Sequence, residues 1–255
     1  MMRIFICLFF LLFVNTVALS NPMLHVPILV YHNLDPVVPG SMTISTARFE
    51  QQLQWLKDNH YTVIPLRELV SYLQGKISAL PKKSIVITDD DGRKSVYQYM
   101  LPIVSRYHIP VTLFIYPAVI SRARYALTWE QLKELQHTQL FDIESHTYSH
   151  PNFKQMKKHL SDEKYQRFLY SELTRSKKIL AEKVGTSVTL LAWPFGIHNQ
   201  EVEQMAEKSG YAMAFTIGYY CASRGDNAMT VPRHMIIASQ TEKTFEAIVR
   251  CQMRK

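Results

Sequence analysis

The stretch Ser84-Ile-Val-Ile-Thr-Asp-Asp-Asp-Gly92 places three consecutive carboxylates directly after a β-branched run. β-Branched residues suit a buried strand, and a glycine permits the turn that ends it. Three adjacent like charges repel one another and resist removal from water. A folded chain therefore accommodates them beside a cation or a shared proton, or leaves them in a solvated turn. These residues alone leave both interpretations open.

Segments typical of strands and helices alternate on both sides of the acidic triplet. The predicted strands cover residues 27–31, 61–65, 85–88, 111–116, 141–144, 187–192, 212–216 and 235–238. The predicted helices cover residues 49–57, 66–75, 95–107, 129–135, 161–183, 200–209 and 242–250. Such alternation indicates βαβ units and a parallel sheet. The 255 residues contain no internal repeat and no linker, so we predict one α/β domain, with a barrel favoured over an open sheet.

Residues 1–20 differ from the rest of the chain. Arg3 precedes an apolar run over residues 4–14, and the small residues Ala18 and Ser20 precede a plausible cleavage site at Asn21. We predict a secretory signal peptide over residues 1–20 and a catalytic domain over residues 21–255. The exported protein is expected in the periplasm or outside the cell. An uncleaved anchor is the alternative, but the run is shorter than the roughly 20 apolar residues that span a bilayer. We expect no stable membrane insertion after cleavage.

The cysteines and the net charge restrict the compartment and the partners. Removal of residues 1–20 leaves Cys221 and Cys251, which either pair in an oxidising compartment or remain as buried thiols. The formal net charge of +8 favours anionic surfaces such as a cell envelope. No cluster of Arg and Lys interleaves with aromatic residues, so no nucleic-acid partner is predicted. The sequence specifies no oligomeric state.

Three further clusters follow predicted strands. His32 follows the first strand, and His146 and His150, four residues apart, follow the strand over residues 141–144. On one helical turn such a pair faces the same way, which is a spacing that suits metal ligands. Trp193-Pro-Phe-Gly196 follows the strand over residues 187–192. Because ligands bind at the carboxyl ends of parallel strands, we expect these clusters and the acidic triplet to gather at one site.

The combination of motifs resembles a known family. Residues 88–92 (Thr-Asp-Asp-Asp-Gly) and residues 146–150 (His-Thr-Tyr-Ser-His) are similar to the acidic and histidine motifs of the polysaccharide deacetylases of the NodB-homology type, carbohydrate esterase family 4. Within that family, the chain looks most like the branch that contains the poly-N-acetylglucosamine deacetylases. The resemblance covers about residues 27–238. It implies a distorted, incomplete (β/α) barrel of about seven parallel strands in a single domain.

The resemblance also implies roles for the charged residues. Aligned on the glycine of the acidic motif, Asp90 matches the catalytic base of the family and Asp91 matches a metal ligand. His146 and His150 match the other two ligands, and His32 matches the catalytic acid of the branch. One divalent metal ion is therefore implied. Zinc is the expected ion, with cobalt, nickel or iron as alternatives.

The Trp-Pro-Phe turn matches the wall of the family's substrate site. Phe195 occupies the place of an aromatic residue whose backbone N–H helps to hold the oxyanion, and Trp193 and Pro194 are expected to shape the same wall. Ala192 stands where the commoner family motif has an arginine that orients the base. We expect Arg233 to take that role.

The resemblance implies a hydrolase of linear amide bonds that releases acetate from N-acetylglucosamine residues of a polysaccharide or oligosaccharide. Two other functions remain open: an O-acetyl esterase on an acetylated polysaccharide, and a catalytically weak carbohydrate-binding relative. Asp89 is the only support for the second alternative, because it stands where the family has Phe and could raise the pKa of Asp90 or compete as a ligand. Tyr219 and Tyr220 either line a sugar groove or cover the core. The polymer and its linkage are not specified.

Overall fold

The computed structural model describes residues 24–37 and 39–253. The predicted signal peptide, residues 1–20, lies outside the described residues, and its cleavage stays a prediction. Within the described part of the chain, no helix is both long enough and apolar enough to cross a bilayer.

Ten short strands and eight α-helices alternate along the described residues. The strands are β1 (Ile28–Tyr31), β2 (Asn33–Leu34), β3 (Thr43–Ile44), β4 (Thr62–Val63), β5 (Ser84–Asp90), β6 (Val111–Ile115), β7 (Phe141–Ser145), β8 (Leu190–Ala192), β9 (Met213–Ile217) and β10 (Val231–Met235). The helices are α1 (Thr46–Asp58), α2 (Leu66–Leu73), α3 (Leu101–Tyr107), α4 (Trp129–His137), α5 (Phe153–His159), α6 (Asp162–Val184), α7 (Gln200–Lys208) and α8 (Glu242–Val249). A π-helical turn, Val96–Met100, precedes α3.

Seven parallel strands form the barrel, in the order β1, β5, β6, β7, β8, β9, β10 and back to β1. The predicted α/β barrel of about seven parallel strands is confirmed. The resemblance implied an incomplete barrel, but here the ring of pairings is complete because β1 lies between β5 and β10. The pairing between β7 and β8 is the shortest in the barrel, with one pair of residues in register, Ser145 and Leu191. β4 pairs with the first residues of β5, beside β1.

Both faces of the barrel strands are buried, as expected for a parallel sheet covered by helices. Alternate residues of each strand point to opposite faces. Side chains such as Val86, Phe114 and Phe215 form a core with Leu66 and Leu69 of α2. Their strand neighbours join a larger core with the other helices, for example Ile87, Leu113 and Leu191. The first core fills the lumen, and α2 closes its amino-terminal end.

Arg67 fastens α2 to that end of the barrel. Its Nε donates to the Asp142 carboxylate over 2.6 Å, and its Nη2 donates to the Ser187 carbonyl over 2.8 Å. Asp142 belongs to β7, and Ser187 precedes β8. The floor of the barrel is therefore sealed by apolar packing and by a charged cross-link.

The structure corrects two expectations about secondary structure. The last strand is Val231–Met235 and not residues 235–238. Pro232 and Arg233 obscure the alternation of apolar and polar residues that is typical of a strand. Residue 233 points inward and is buried, but its charge is typical of a loop. The helix Phe153–His159 was not predicted; the Asn152 side chain accepts from the Gln155 N–H and caps its start.

A disulfide joins Cys221 and Cys251, with 5.8 Å between their Cα atoms. Of the two alternatives left by the sequence, the structure therefore contains the paired form. The bond ties the loop after β9 to the chain after α8, across a separation of 30 residues. Ala222, next to this bond, also pairs with Val26 at the start of the barrel.

We predict that replacing both Cys221 and Cys251 by Ser lowers the free energy of unfolding by about 2–4 kcal/mol, because the cross-link restricts the unfolded chain. Urea denaturation of the oxidised protein and of the double variant measures the difference. Addition of a thiol reductant should lower the stability of the wild type to that of the variant. Equal stability of the oxidised wild type and the variant would contradict the prediction.

Candidate functional site

The carboxyl ends of the barrel strands surround a cavity of about 320 Å³. Five of the six charged or ionisable residues predicted for the site line it, all except Arg233, together with residues of the Trp-Pro-Phe turn and three apolar side chains. The lining consists of His32, Met42, Asp90, Asp91, His146, His150, Trp193, Phe195, Gly196, Ile217 and Met235. Pro194 and Arg233 are buried outside this lining.

Asp90, the last residue of β5, is held by an arginine of β10. The Arg233 Nη1 donates to Asp90 Oδ1 over 2.9 Å, and Nη2 donates to Oδ2 over 2.8 Å. Arg233 also donates to the Thr88 hydroxyl, 3.2 Å away. Burial alone would raise the pKa of Asp90, but Arg233 and His146 lower it to about 2. Asp90 is therefore a carboxylate with a fixed orientation.

Asp91 leaves the strand through a left-handed turn. Its φ is 77° and that of Gly92 is 71°, so two successive residues adopt a conformation that is unusual for any residue with a side chain. A Cβ on Gly92 would lie 2.9 Å from the Ile115 side chain, which leaves room for glycine only. The turn directs the Asp91 carboxylate toward the two histidines. Its Oδ1 is 3.9 Å from His146 Nε2 and 3.7 Å from His150 Nε2.

His146 presents one defined nitrogen to the cavity. Its Nδ1 is 2.8 Å from the Ala192 carbonyl oxygen, which can only accept, so Nδ1 carries the proton. The lone pair of Nε2 then faces Asp91. Burial lowers the pKa of His146 to about 3, so the ring is neutral at physiological pH. A neutral imidazole with a fixed tautomer is the form that binds metal ions.

A strained loop, and not a helical turn, brings His150 beside His146. Thr147 has φ 63° and His150 has φ 58°. The expectation that the pair lies on one helical turn is therefore wrong, although the rings do converge, with centroids 4.6 Å apart. Glu172 of α6 supports the loop by accepting from the N–H groups of Tyr148 and Ser149 over 3.1 and 2.8 Å.

Asp91, His146 and His150 form the one group of potential metal ligands that the described ranges contain. Their ligand atoms all lie within 4.8 Å of one another. A carboxylate and two neutral imidazoles suit a divalent cation and leave coordination positions open. The donor set therefore fits the predicted metal ion.

His32 lies on the same cavity, directly after β1. Burial lowers the pKa of His32, while the carboxylates of Asp90 and Asp91 oppose that shift. Its Nδ1 is buried and has no hydrogen-bond partner among residues 24–37 and 39–253. His32 is thus a titratable group held against the two acidic residues.

The Trp-Pro-Phe turn forms one wall of the cavity. Trp193 is buried, and its indole N–H donates to the Met229 carbonyl over 2.7 Å. Phe195 has φ 58° and remains 61% exposed, with its ring centroid 4.5 Å from that of His150. Pro194 lies behind these two residues and starts the 3₁₀ turn.

Comparison with known proteins identifies the family. The model of the family described as polysaccharide deacetylase matches residues 78–214. YxkH of Bacillus subtilis, which is named for this family, is 31% identical over 88% of this chain and 75% of its own length. The chain belongs to the polysaccharide deacetylase family. The resemblance seen in the sequence is confirmed.

One further relative and two solved structures are also similar to this chain. The poly-β-1,6-N-acetyl-D-glucosamine N-deacetylase of Staphylococcus aureus (strain MRSA252) is 26% identical over 82% of this chain and 71% of its own. The structure of IcaB from Ammonifex degensii superposes with a TM-score of 0.77 at 25% identity, covering 90% of this chain and 97% of that one. The Streptococcus pyogenes deacetylase PplD, solved with acetate, has a TM-score of 0.78 at 24% identity, with coverage of 91% and 100%.

Asp89 is where this chain departs from the motif of polysaccharide deacetylases. Asp89 is fully buried, and in the strand register it lies beside Tyr31 and Leu113, which belong to the core under the helices. It alternates with Asp90 and so points away from the cavity. Asp89 was expected to raise the pKa of Asp90 or to compete as a ligand only if it lies near the metal; the group of potential ligands omits Asp89, so this condition is not met.

The Asp89 carboxyl has no hydrogen-bond partner among the described residues. Burial raises the pKa of Asp89 well above its usual range, and the charges of Asp90 and Asp91 raise it further. The carboxyl therefore keeps its proton at pH values where an exposed aspartic acid has already lost it. The folded state holds this proton more tightly than the unfolded chain, so stability falls as pH rises above the unfolded pKa.

The sequence did not indicate Glu172, which supports the loop of His150, or Arg93, which lies beside Asp91. Glu172 could have been found as an acid within the apolar face of α6, between Leu169 and Leu173. Arg93 gave no signal, but its Nε lies 3.9 Å from Asp91 Oδ2, and its guanidinium lies over the Tyr125 ring at 5.2 Å.

We predict that Asp89→Asn removes part of the loss of stability with rising pH, because an amide of the same size cannot ionise. Relative to that of the wild type, the free energy of unfolding of the variant should rise between pH 5 and pH 8, by at most about 1.4 kcal/mol per pH unit. Urea denaturation of both proteins across this range measures the gap, and Asp58→Asn, at an exposed position of α1, is the matched control. A gap that stays constant with pH would refute the assignment.

Proposed function

We propose that this protein is an exported, metal-dependent deacetylase that removes the acetyl group from N-acetylglucosamine residues of a polysaccharide. One observation carries the proposal: Asp90, Asp91, His32, His146 and His150 line one cavity, with Asp90 fixed and His146 in a single tautomer. The curated relative named for poly-β-1,6-N-acetyl-D-glucosamine supports the substrate class.

Asp91, His146 and His150 would hold the divalent ion, with zinc as the expected metal. When bound there, such an ion polarises the acetamide carbonyl and lowers the pKa of a water from about 15.7 toward roughly 7. The hydrogen bond from His146 to the Ala192 carbonyl would keep its ring aimed at the ion. Glu172 would hold the loop of His150 in place.

Asp90 would accept the proton of the attacking water. The Arg233 pair keeps it ionised and in one orientation, and each carboxylate oxygen retains a lone pair for the incoming proton. A carboxylate with a pKa near 2 is a weak base. The reaction would therefore require a water whose pKa is already lowered. The group of potential metal ligands next to Asp90 is suited to lower it.

The remaining residues would act on the oxyanion and the leaving amine. The backbone N–H of Phe195, in the turn beside the cavity, would donate to the oxygen as negative charge develops there; one such donor contributes about a hundredfold or more in rate. His32 in its protonated form would give a proton to the departing nitrogen, because an amine anion does not leave unaided. The products would be acetate and a glucosamine residue.

Export is the part of the proposal that concerns the compartment. The Cys221–Cys251 disulfide supports an oxidising environment, as in the periplasm or outside the cell. The apolar run over residues 4–14 supports a signal peptide. The mature protein would then begin at Asn21.

Acetate release tests the function directly. We expect the purified protein to release acetate from β-1,6- or β-1,4-linked N-acetylglucosamine oligomers, to stop after chelation, and to recover when zinc, cobalt, nickel or iron is added singly. Asp91→Asn should lose both the bound metal, measured by elemental analysis, and the activity, whereas the surface variant Asp58→Asn should keep both. Acetate release that survives chelation would refute the metal mechanism, and no release from either polymer would refute the substrate.

We predict that His32→Ala slows N-deacetylation by about 10²–10⁴-fold, the usual contribution of a general acid. Hydrolysis of O-acetyl groups should fall much less, because an alcohol leaves with less help from a proton donor. Rates on an N-acetylated and an O-acetylated oligosaccharide measure the difference. His159→Ala, at an exposed position of α5, is the control and should change neither rate. Higher activity on the O-acetyl substrate with little effect of His32→Ala would favour the esterase alternative.

A further inference from the structure

The exposed aromatic side chains lie mainly on loops that follow barrel strands. Among the described residues, the aromatic side chains with the largest exposed fractions are Tyr219 at 64%, Phe195 at 61%, Tyr170 at 56%, Tyr220 at 52% and Tyr125 at 40%. All except Tyr170, which lies on α6, are on loops that follow barrel strands. Singly exposed aromatic residues are ordinary, but several on the loops that follow parallel strands lie toward the end of the barrel where ligands bind. Because both rings are exposed, Tyr219 and Tyr220 do not cover the core.

The loop of Tyr219 and Tyr220 continues directly from the cavity wall. Ile217, two residues before Tyr219, lines the cavity. The turn that carries Phe195 is fastened to the same strand end, because the Thr216 hydroxyl donates to the Gly196 carbonyl over 2.9 Å. Two residues of extended chain span at most about 7 Å, so Tyr219 starts within that distance of the wall.

Both ends of this short loop are anchored. At one end, the Gly218 N–H donates to the Arg233 carbonyl over 2.9 Å. At the other end, Cys221 is bonded to Cys251, and the Ala222 N–H donates to the Val26 carbonyl over 2.9 Å. Tyr219 and Tyr220 are therefore exposed rings on a short loop tied down on both sides. Such preorganisation lowers the entropy cost of binding.

We propose that Tyr219 and Tyr220 form a platform that stacks against sugar rings of the polysaccharide strand whose acetamide enters the cavity. This inference rests on the proposed function. A pyranose ring has an apolar C–H face that matches the face of a tyrosine ring, and the phenol hydroxyl can bond to sugar hydroxyls. The occupant is the substrate polymer itself, because the loop that carries both rings begins next to Ile217 of the cavity wall.

The platform distinguishes long from short substrates. A single acetylated sugar would occupy only the cavity, whereas a longer strand would extend beyond its wall to the platform. The double variant Tyr219→Ala/Tyr220→Ala should weaken binding of the polymer about tenfold, which corresponds to about 1.4 kcal/mol. The KM for long oligomers should rise by a similar factor with little change in kcat, and the KM for a monosaccharide substrate should not change.

Affinity electrophoresis in gels containing soluble poly-N-acetylglucosamine measures the binding without turnover. Tyr170→Ala is the matched control, since Tyr170 is equally exposed on α6. Tyr219→Phe/Tyr220→Phe keeps the rings and should bind as the wild type does. Reduction of the disulfide should weaken polymer binding as well, since it frees one end of the loop.

The outcomes separate the platform from the proposed reaction. Polymer binding that depends on the two rings, in a protein that releases no acetate, would support the platform and refute the deacetylase function. Deacetylation with polymer binding unchanged in the double Ala variant would refute the platform alone. An equal loss in Tyr170→Ala or in the Phe variant would also refute it, because the loss would not depend on rings at this position.

Discussion

The buried ion pair between Arg233 and Asp90 is the interaction on which the site depends. Arg233 belongs to β10 and Asp90 to β5, and β1 lies between these two strands. The pair therefore lies on the lumen side of β1 and connects the two strands that flank it. Both side chains are almost completely buried, so their loss of hydration is compensated only by the two-fold hydrogen bonding and the surrounding contacts. The same contact joins two strands of the barrel and orients the carboxylate, between residues 143 positions apart.

The three adjacent carboxylates occupy three different environments because the backbone changes direction between them. Strand alternation sends Asp90 into the lumen and Asp89 into the core beneath the helices. The left-handed turn then carries Asp91 out of the sheet toward His146 and His150. One carboxyl is paired with a cation, one is buried without a hydrogen-bond partner among the described residues, and one faces two imidazoles. Proximity in sequence therefore does not make the triplet a single charged cluster.

Much of this arrangement could be predicted from the sequence. The β-branched run before the triplet and the regular alternation of elements indicated the parallel barrel, and the rule that ligands gather at the carboxyl ends of strands placed the clusters together. The environment of Asp89 could not be predicted, because a single-residue departure from a motif does not reveal which face it occupies. The loop of His150 was also missed, since its conformation depends on Glu172 of α6, which is distant in sequence. The strand Val231–Met235 was misplaced because a buried arginine imitates a loop residue. In each case a long-range contact overrides a local pattern.

The sealed amino-terminal end of the barrel limits how substrate and products enter and leave the cavity. Val86, Phe114 and Phe215 fill the lumen below Arg233, and Arg67 locks α2 across the far end. The cavity is thus closed toward the amino-terminal end of the barrel. In the proposed reaction, a glycan would enter from the opposite side and cover the opening, so acetate formed underneath would leave after the strand lifts or slides. The release of the small product would then be coupled to the movement of the large one.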